Sequence, residues 1–336
     1  MPKKKTKKIC LLFAGGTTID EKDIWDSSVN KAEDINNWLK QIPELSLIAT
    51  VNPVFICAGE RELSGIKLWQ KVSQQIYNNL NNYDGFVVLF DTETILFNGI
   101  ALSFALLNLN KPVILTGSQI TSEAVKQPDW QVKKAKAYGG LGVKSNLINA
   151  VQVATMEIPA VGLIFGNHCL RAVKAIRSAY NDLNIFASAD ERYLAKIDFG
   201  ISPTEKFELP KAKLILKNKF APEVLNIKYY PGLDFKLIKS SLQKSQGVLI
   251  ESLEGEPITT EFLTNLAKLK IPVIIYNKLG LPRLYKKNLI EISNLTLPTT
   301  LIKFKWALAQ TNNLEELRNL MYAEQCFEII DFNKKK

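Results

Sequence analysis

The sequence predicts an α/β protein with a mostly parallel sheet, and one stretch, residues 84–119, carries most of that prediction. An apolar run at 86–90 follows Asp84-Gly85 and is too short for a helix, so it reads as a buried parallel strand. A polar crest follows, Asp91-Thr92-Glu93-Thr94, and then an apolar segment of helical length ending near Asn110. Lys111-Pro112 leads into a second buried strand, 113–116, closed by Gly117. The result is a βαβ unit whose polar residues lie at the carboxyl end of its first strand, where open α/β sheets bind their ligands.

The rest of the chain alternates in the same way. Residues 8–13 read as a short strand, and Ala14-Gly15-Gly16-Thr17-Thr18 turn at its carboxyl end. Glycine there lets the backbone come close to a ligand or adopt positive φ. Residues 34–43 read as helix, 46–55 as strand, and 66–81 as an amphipathic helix with Leu68, Val72 and Ile76 on one face. The loop at 57–65 carries Glu60, Arg61 and Glu62. A Lys-rich insertion at 122–144, with Gly139, Gly140 and Gly142, reads as a mobile surface loop, and 160–165 as another buried strand. Residues 200–218 have little helical pattern and hold Pro203 and Pro210, so they lead towards a second domain. Strands at 227–230, 247–251 and 272–276 and helices at 260–269 and 298–308 follow. The expected boundaries are 1–205 and 225–336, joined by a linker at 206–224.

Composition narrows the class. At 336 residues with 46% hydrophobic content, the chain has material for two domains or for one large domain with an appendage. No apolar run approaches the roughly eighteen residues that span a bilayer, which argues against a membrane partner. The basic start resembles a signal peptide's flank, but its apolar segment is too short and no cleavage-like site follows. Cys10, Cys57, Cys169 and Cys326 are far apart and form no CxxC pair, which points away from zinc and disulfides and towards a reduced, cytoplasmic setting. The single histidine, His168, excludes a two-His metal motif. A net charge of +10 fits either a nucleic-acid partner or a Lys-rich soluble surface. The lack of an interleaved aromatic and basic patch favours the surface.

Residues 84–119 closely resemble the second signature of the bacterial-type L-asparaginase family, in which a strand ends in His-Gly-Thr-Asp-Thr. Here Phe90 stands for the His, Asp91 for the Gly and Glu93 for the Asp, while Thr92 and Thr94 match. The following LSFALLNLNKPVILTGSQ is similar to the cytoplasmic, type I branch. The turn after the first strand resembles the family's opening Thr-Gly-Gly-Thr-Ile; Ala14 takes the place of the first Thr, the family's primary nucleophile, and Thr17 matches the second. Arg171 and Lys174 fit the family's Arg, short gap and catalytic Lys, and Phe186-Ala187-Ser188 its Phe-Ala-Ser, with Ala189-Asp190 in place of Pro-Asn. Tyr230-Pro231-Gly232 and the spacing of Leu301, Lys303 and Trp306 match C-terminal family patterns. A family turn that completes the neighbouring subunit's active site is replaced by residues 253–257.

The resemblance implies an asparaginase-like two-domain architecture over nearly the whole chain, with a larger N-terminal mostly parallel-sheet domain and a smaller C-terminal α/β domain. It implies a homodimer or homotetramer, a small amide or amino-acid-like ligand, and no cofactor. It also implies a Thr-Lys-acid relay, which Thr92, Lys174 and Glu93 match by type and are expected to form; a Thr hydroxyl needs such a base to act as nucleophile. Ala14, Thr17, Arg61 and Asp91 are the expected substrate-binding positions, with Arg61 able to clamp a carboxylate in bidentate fashion. Ala14 cannot attack, which leaves Thr92, Thr17, Thr18, water, or no hydrolysis. An acid at 91 would repel a free α-carboxylate and welcome an amine or guanidinium. Asp91 and Glu93 read equally well as turn acids pairing with Lys174, and the crest threonines as helix-capping hydroxyls. Magnesium at these carboxylates ranks low without a phosphate-binding glycine loop, so no metal is expected. Three functions stay open: hydrolysis of L-asparagine or a related side-chain amide, ligand binding without catalysis, and service as a subunit of a tRNA-dependent amidotransferase.

Overall fold

The computed structural model describes residues 6–17, 29–59, 62–118, 143–178, 184–198, 200–252, 257–277 and 288–331. Thr18, Arg61 and most of the Lys-rich stretch lie outside the described residues. The chain divides after Asn218 into two units, each with its own sheet.

In the first unit the strands are β1 (Lys8–Ala14), β2 (Thr50–Phe55), β3 (Gly85–Phe90), β4 (Leu106–Leu107), β5 (Val113–Thr116) and β6 (Val161–Phe165). They continue with β7 (His168–Arg171), β8 (Ala175–Arg177), β9 (Phe186–Ser188), β10 (Ala195–Ile197), β11 (Ile201–Pro203) and β12 (Ile215–Leu216). The main sheet runs β11-β10-β7-β6-β5-β3-β1-β2. Neighbours from β6 to β2 are parallel, and β7, β10 and β11 pair antiparallel. Every residue of β3, β5 and β6 is buried, as strands covered on both faces require.

The helices of this unit are α1 (Ile35–Leu39), α2 (Leu45–Ile48), α3 (Gly65–Asn79), α4 (Ile95–Ala105) and α5 (Val143–Ala154). α3 buries Leu68, Trp69, Val72 and Ile76, the stripe its periodicity predicts. Two boundaries differ from the sequence reading. Residues 45–48 form a helical turn rather than the start of a strand, and β2 begins at Thr50. β2 tolerates Pro53, which lacks an N–H, because it is the edge strand of the sheet. α4 stops at Ala105 rather than near Asn110; the chain passes into β4, which pairs with β12, and Asn108 adopts φ +59°. Asn is among the few residues that enter this left-handed region readily.

In the second unit β13 (Val224–Tyr229), β14 (Gly247–Ser252), β15 (Val273–Tyr276) and β16 (Leu289–Ile292) form a parallel sheet in that order. It carries helices α6 (Phe235–Gln243), α7 (Thr260–Ala267), α8 (Leu297–Leu308) and α9 (Leu314–Tyr322). α9 is absent from the sequence reading. Its signal is Asn313, whose side chain accepts the Glu315 and Glu316 N–H groups and so caps the helix. Residues 206–224 are shared between the units: β12 joins the first, and 219–223 belong to the second. Among the described residues, no helix is long and apolar enough to cross a membrane.

This topology contains a switch point of the kind at which open α/β sheets bind ligands. From β1 the chain goes to β2 on one side and then returns to β3 on the other, so β1 and β3 flank the point where the strand order reverses. At this point the Gly15-Gly16 turn and the Asp91–Thr94 crest meet, the Gly16 N–H bonding to the Asp91 carboxylate.

Candidate functional site

Ala14 is the last residue of β1, fully buried and in register with Phe90 at the end of β3. The next two residues, Gly15 and Gly16, have φ of +123° and +61°. A Cβ on Gly16 would stand 2.0 Å from the Phe90 carbonyl oxygen, so only glycine lets the two strand ends come together. The Gly16 carbonyl accepts the Ser118 N–H at 2.9 Å, which ties the turn to the end of β5.

Asp91 reaches into this turn. Its Oδ1 accepts the Gly16 N–H at 2.9 Å. A Cβ at Gly15 would lie 2.6 Å from Oδ1, and one at Gly59 would lie 2.7 Å from Oδ2. The carboxylate therefore packs directly on two glycine α-carbons from the turns that follow β1 and β2.

The hydroxyls nearby are engaged. Thr17 is buried, and its Oγ1 accepts the Val29 N–H at 2.9 Å, while its carbonyl accepts the Trp38 indole N–H at 2.8 Å. The Thr92 hydroxyl donates to the Ser118 carbonyl. Thr94 gives its hydroxyl to the Asp91 carbonyl at 3.3 Å. Cys57, buried just after β2, is no thiolate substitute for a missing hydroxyl: burial pushes its thiol up, against the Gly59 N–H that favours the anion.

Lys174 lies in a short helical turn, 172–174, that packs against α4. Its Nζ sits 2.8 Å from Asp190 Oδ2, and Asp190 Oδ1 accepts the Ser188 hydroxyl at 2.8 Å. The antiparallel β8–β9 pair makes this possible, since it sets Ala175 opposite Ser188 and lets the Ala189 N–H bond the Lys174 carbonyl at 2.9 Å. Burial works to raise the Asp190 carboxyl, but the Lys174 ammonium and the Ser188 hydroxyl outweigh it and hold it below the usual carboxylate range. Glu93 is exposed, and among the described residues no hydrogen bond joins Lys174 to Glu93 or to Thr92. The acid beside Lys174 is thus Asp190, not Glu93 or Asp91.

The structure brings together Ala14, Asp91, Thr92 and Thr17 around one turn, leaves Glu93 facing solvent, and pairs Lys174 with Asp190. Two participants escape the sequence reading. Asp190 is visible there only as a departure from Pro-Asn; reading 175–177 and 186–188 as one hairpin would have set it beside Lys174. Arg177 donates to the Thr92 carbonyl at 2.7 Å and lies 4.9 Å from the centre of the Phe186 ring, so it braces the crest from the same hairpin. Among the described residues no group of three or more His, Cys, Asp or Glu is arranged to hold a metal ion.

Comparison with known proteins agrees with this architecture. The family pattern described as asparaginase, N-terminal, matches residues 8–207. The chain is 24% identical to a glutamyl-tRNA(Gln) amidotransferase subunit of Pyrococcus abyssi, over 97% of this chain and 78% of that one. It is 27% identical to L-asparaginase 1 of Escherichia coli, over 75% of this chain and 77% of that one. The solved structure of L-asparaginase I from Vibrio cholerae superimposes with a TM-score of 0.79 at 24% identity, covering 96% of this chain and 99% of that one. The thermostable L-asparaginase from Thermococcus kodakarensis gives 0.76 at 21%, again over 96% and 99%. With a family pattern spanning more than half its length, this chain belongs to the asparaginase family.

Proposed function

We propose that this protein binds a small amide or amino-acid-like ligand in the β1–β3 crevice without hydrolysing it by the family's route. The observation that carries this reading is Ala14. The position that should present an attacking hydroxyl presents a buried methyl instead. Neighbouring hydroxyls do not make up the loss. Thr17 is buried with its Oγ1 held by the Val29 N–H, and the Thr92 proton goes to a backbone carbonyl, which is no base at neutral pH. Ligand-induced thermal stabilisation without ammonia release would support the reading, and steady turnover of L-asparagine or L-glutamine would end it.

A second reading, hydrolysis of a side-chain amide, is favoured by one observation, the Lys174–Asp190 pair. A lysine oriented by a buried carboxylate is half of a proton relay. In that reading Thr92 is the nucleophile, Lys174 its base, and Asp190 takes the part that sequence matching gives to Glu93. The likeness to amidotransferase subunits, together with the +10 charge, makes a tRNA or a partner subunit a further proposal, and salt-sensitive tRNA binding is its test. A cytoplasmic homodimer or homotetramer accompanies all of these readings, and light scattering on the purified protein tests the assembly.

A further inference from the structure

We propose that Asp91 is a built-in occupant of the crevice and decides its specificity: its carboxylate fills the anion cradle of the Gly15-Gly16 turn, so the crevice refuses ligands that present a free carboxylate there. The inference rests on the ligand-binding reading above and adds a ligand class to it. A turn that aims a backbone N–H at one point suits an anion, and the Gly16 N–H is so aimed. In this chain that point is already filled. The Gly16 N–H that would bind an incoming oxygen is bonded to Asp91 Oδ1 at 2.9 Å. The floor, made by the Gly15 and Gly59 α-carbons, lies so close beneath the same carboxylate that not even a methyl group would fit on either. Both glycines have positive φ, +123° and +138°, so the turns are shaped to pass beneath a group rather than to pack on themselves.

A second carboxylate would have to displace Asp91 and take over its hydrogen bond, gaining nothing for the exchange. The space is occupied and the donor used, whatever else the Asp91 carboxylate contacts. The ligand of the native crevice is therefore a small molecule with no carboxylate at its inner end, such as a simple primary amide, rather than a free amino acid.

The test uses L-aspartate as the probe carboxylate, with isothermal titration and thermal shift on the full chain and on Asp91→Gly, Asp91→Ala and Asp91→Asn. The native protein and Asp91→Asn, which keeps the side chain's size and its acceptor oxygen, should not bind. Asp91→Gly and Asp91→Ala should bind at least about tenfold more tightly than the native chain. Binding by the native protein as tight as that of Asp91→Gly overturns the proposal. Binding by Asp91→Asn equal to that of Asp91→Gly also overturns it, since charge rather than occupancy would then be the cause. Folded Asp91→Gly and Asp91→Ala that stay silent overturn it as well. Failure of both to fold would make Asp91 a structural strut and would overturn it too. Ammonia release plays no part in these outcomes, so a failure of this proposal is distinguishable from a failure of the non-hydrolytic reading.

Discussion

The ammonium of Lys174 lies 2.8 Å from Asp190, sixteen residues along the chain, while Glu93 of the crest faces solvent. Both partners of the pair are largely buried, with side-chain exposures of 14% and 10%. A carboxylate lost from such a pair leaves a charge with little water to solvate it. Asp190→Ala should therefore destabilise the protein by about 2–4 kcal/mol, whereas Glu93→Gln should change it by no more than about 0.5 kcal/mol. Urea denaturation of the two variants beside the native chain measures the contrast. Equal effects would deny the pairing.

The same pair sets a pH dependence. The folded-state value of Asp190 is depressed, so its contribution is fully present above the unfolded value of about 3.9. That contribution is lost as pH falls through the folded value, because protonation then breaks the ion pair. Acid denaturation followed by circular dichroism should be shallower below about pH 4 in Asp190→Asn than in the native protein. Between neutrality and about pH 5 the two slopes should coincide.

The glycine turn offers a backbone prediction. Gly16→Ala would set a methyl 2.0 Å from the Phe90 carbonyl oxygen at a φ of +61°. A cost of about 1–3 kcal/mol or more is expected, read as a lowered urea midpoint. Gly65→Ala is the control for φ alone, since its own φ is +56° but no atom stands within 4 Å of the added carbon. It should cost distinctly less.

The sequence was legible where one physical term dominates. The apolar run at 86–90 and the Val113-Ile114-Leu115-Thr116 run, short and bounded by turn residues, read as buried strands, and the stripe of Leu68, Val72 and Ile76 as the inner face of a helix. The polar strand ends were legible too: the Gly15-Gly16 turn and the crest at Asp91 lie side by side, as polar residues that gather where parallel strands end should. Less legible was anything decided by tertiary pairing. α4 ends at Ala105 because β12, about a hundred residues on, captures Leu106 and Leu107 as a strand. Asp190 meets Lys174 through a ladder of three-residue strands too short to show a period of two. Glu93 was the expected relay acid and Asp91 a substrate-binding position, yet Asp91 enters the turn and Glu93 turns outward, a difference that follows the glycine surfaces receiving Asp91.

In the second unit the resemblance-matched Lys303 has a structural duty. Its Nζ lies 2.7 Å from Glu328 with both side chains wholly buried, and it also donates to the Ala323 carbonyl at 2.7 Å. Glu328 in turn accepts the Gln325 and Cys326 N–H groups, so the pair pins the chain after α9 to α8. Lys303→Met should cost about 3–5 kcal/mol by stranding the buried carboxylate. Lys303→Met with Glu328→Gln should recover part of that loss, as judged by chemical denaturation.

Ammonia release from L-asparagine, L-glutamine and a simple primary amide, measured on the native protein beside Ala14→Thr and Thr92→Ala, bears most directly on the central claim that the crevice binds without the family's hydrolysis. The account predicts that the native chain and Thr92→Ala release no ammonia above the blank. It also predicts that Ala14→Thr alone stays silent, because Asp91 still fills the turn and the Thr92 proton is still held by Ser118. Steady release by the native protein that Thr92→Ala abolishes would contradict the account and assign the nucleophile's work to Thr92.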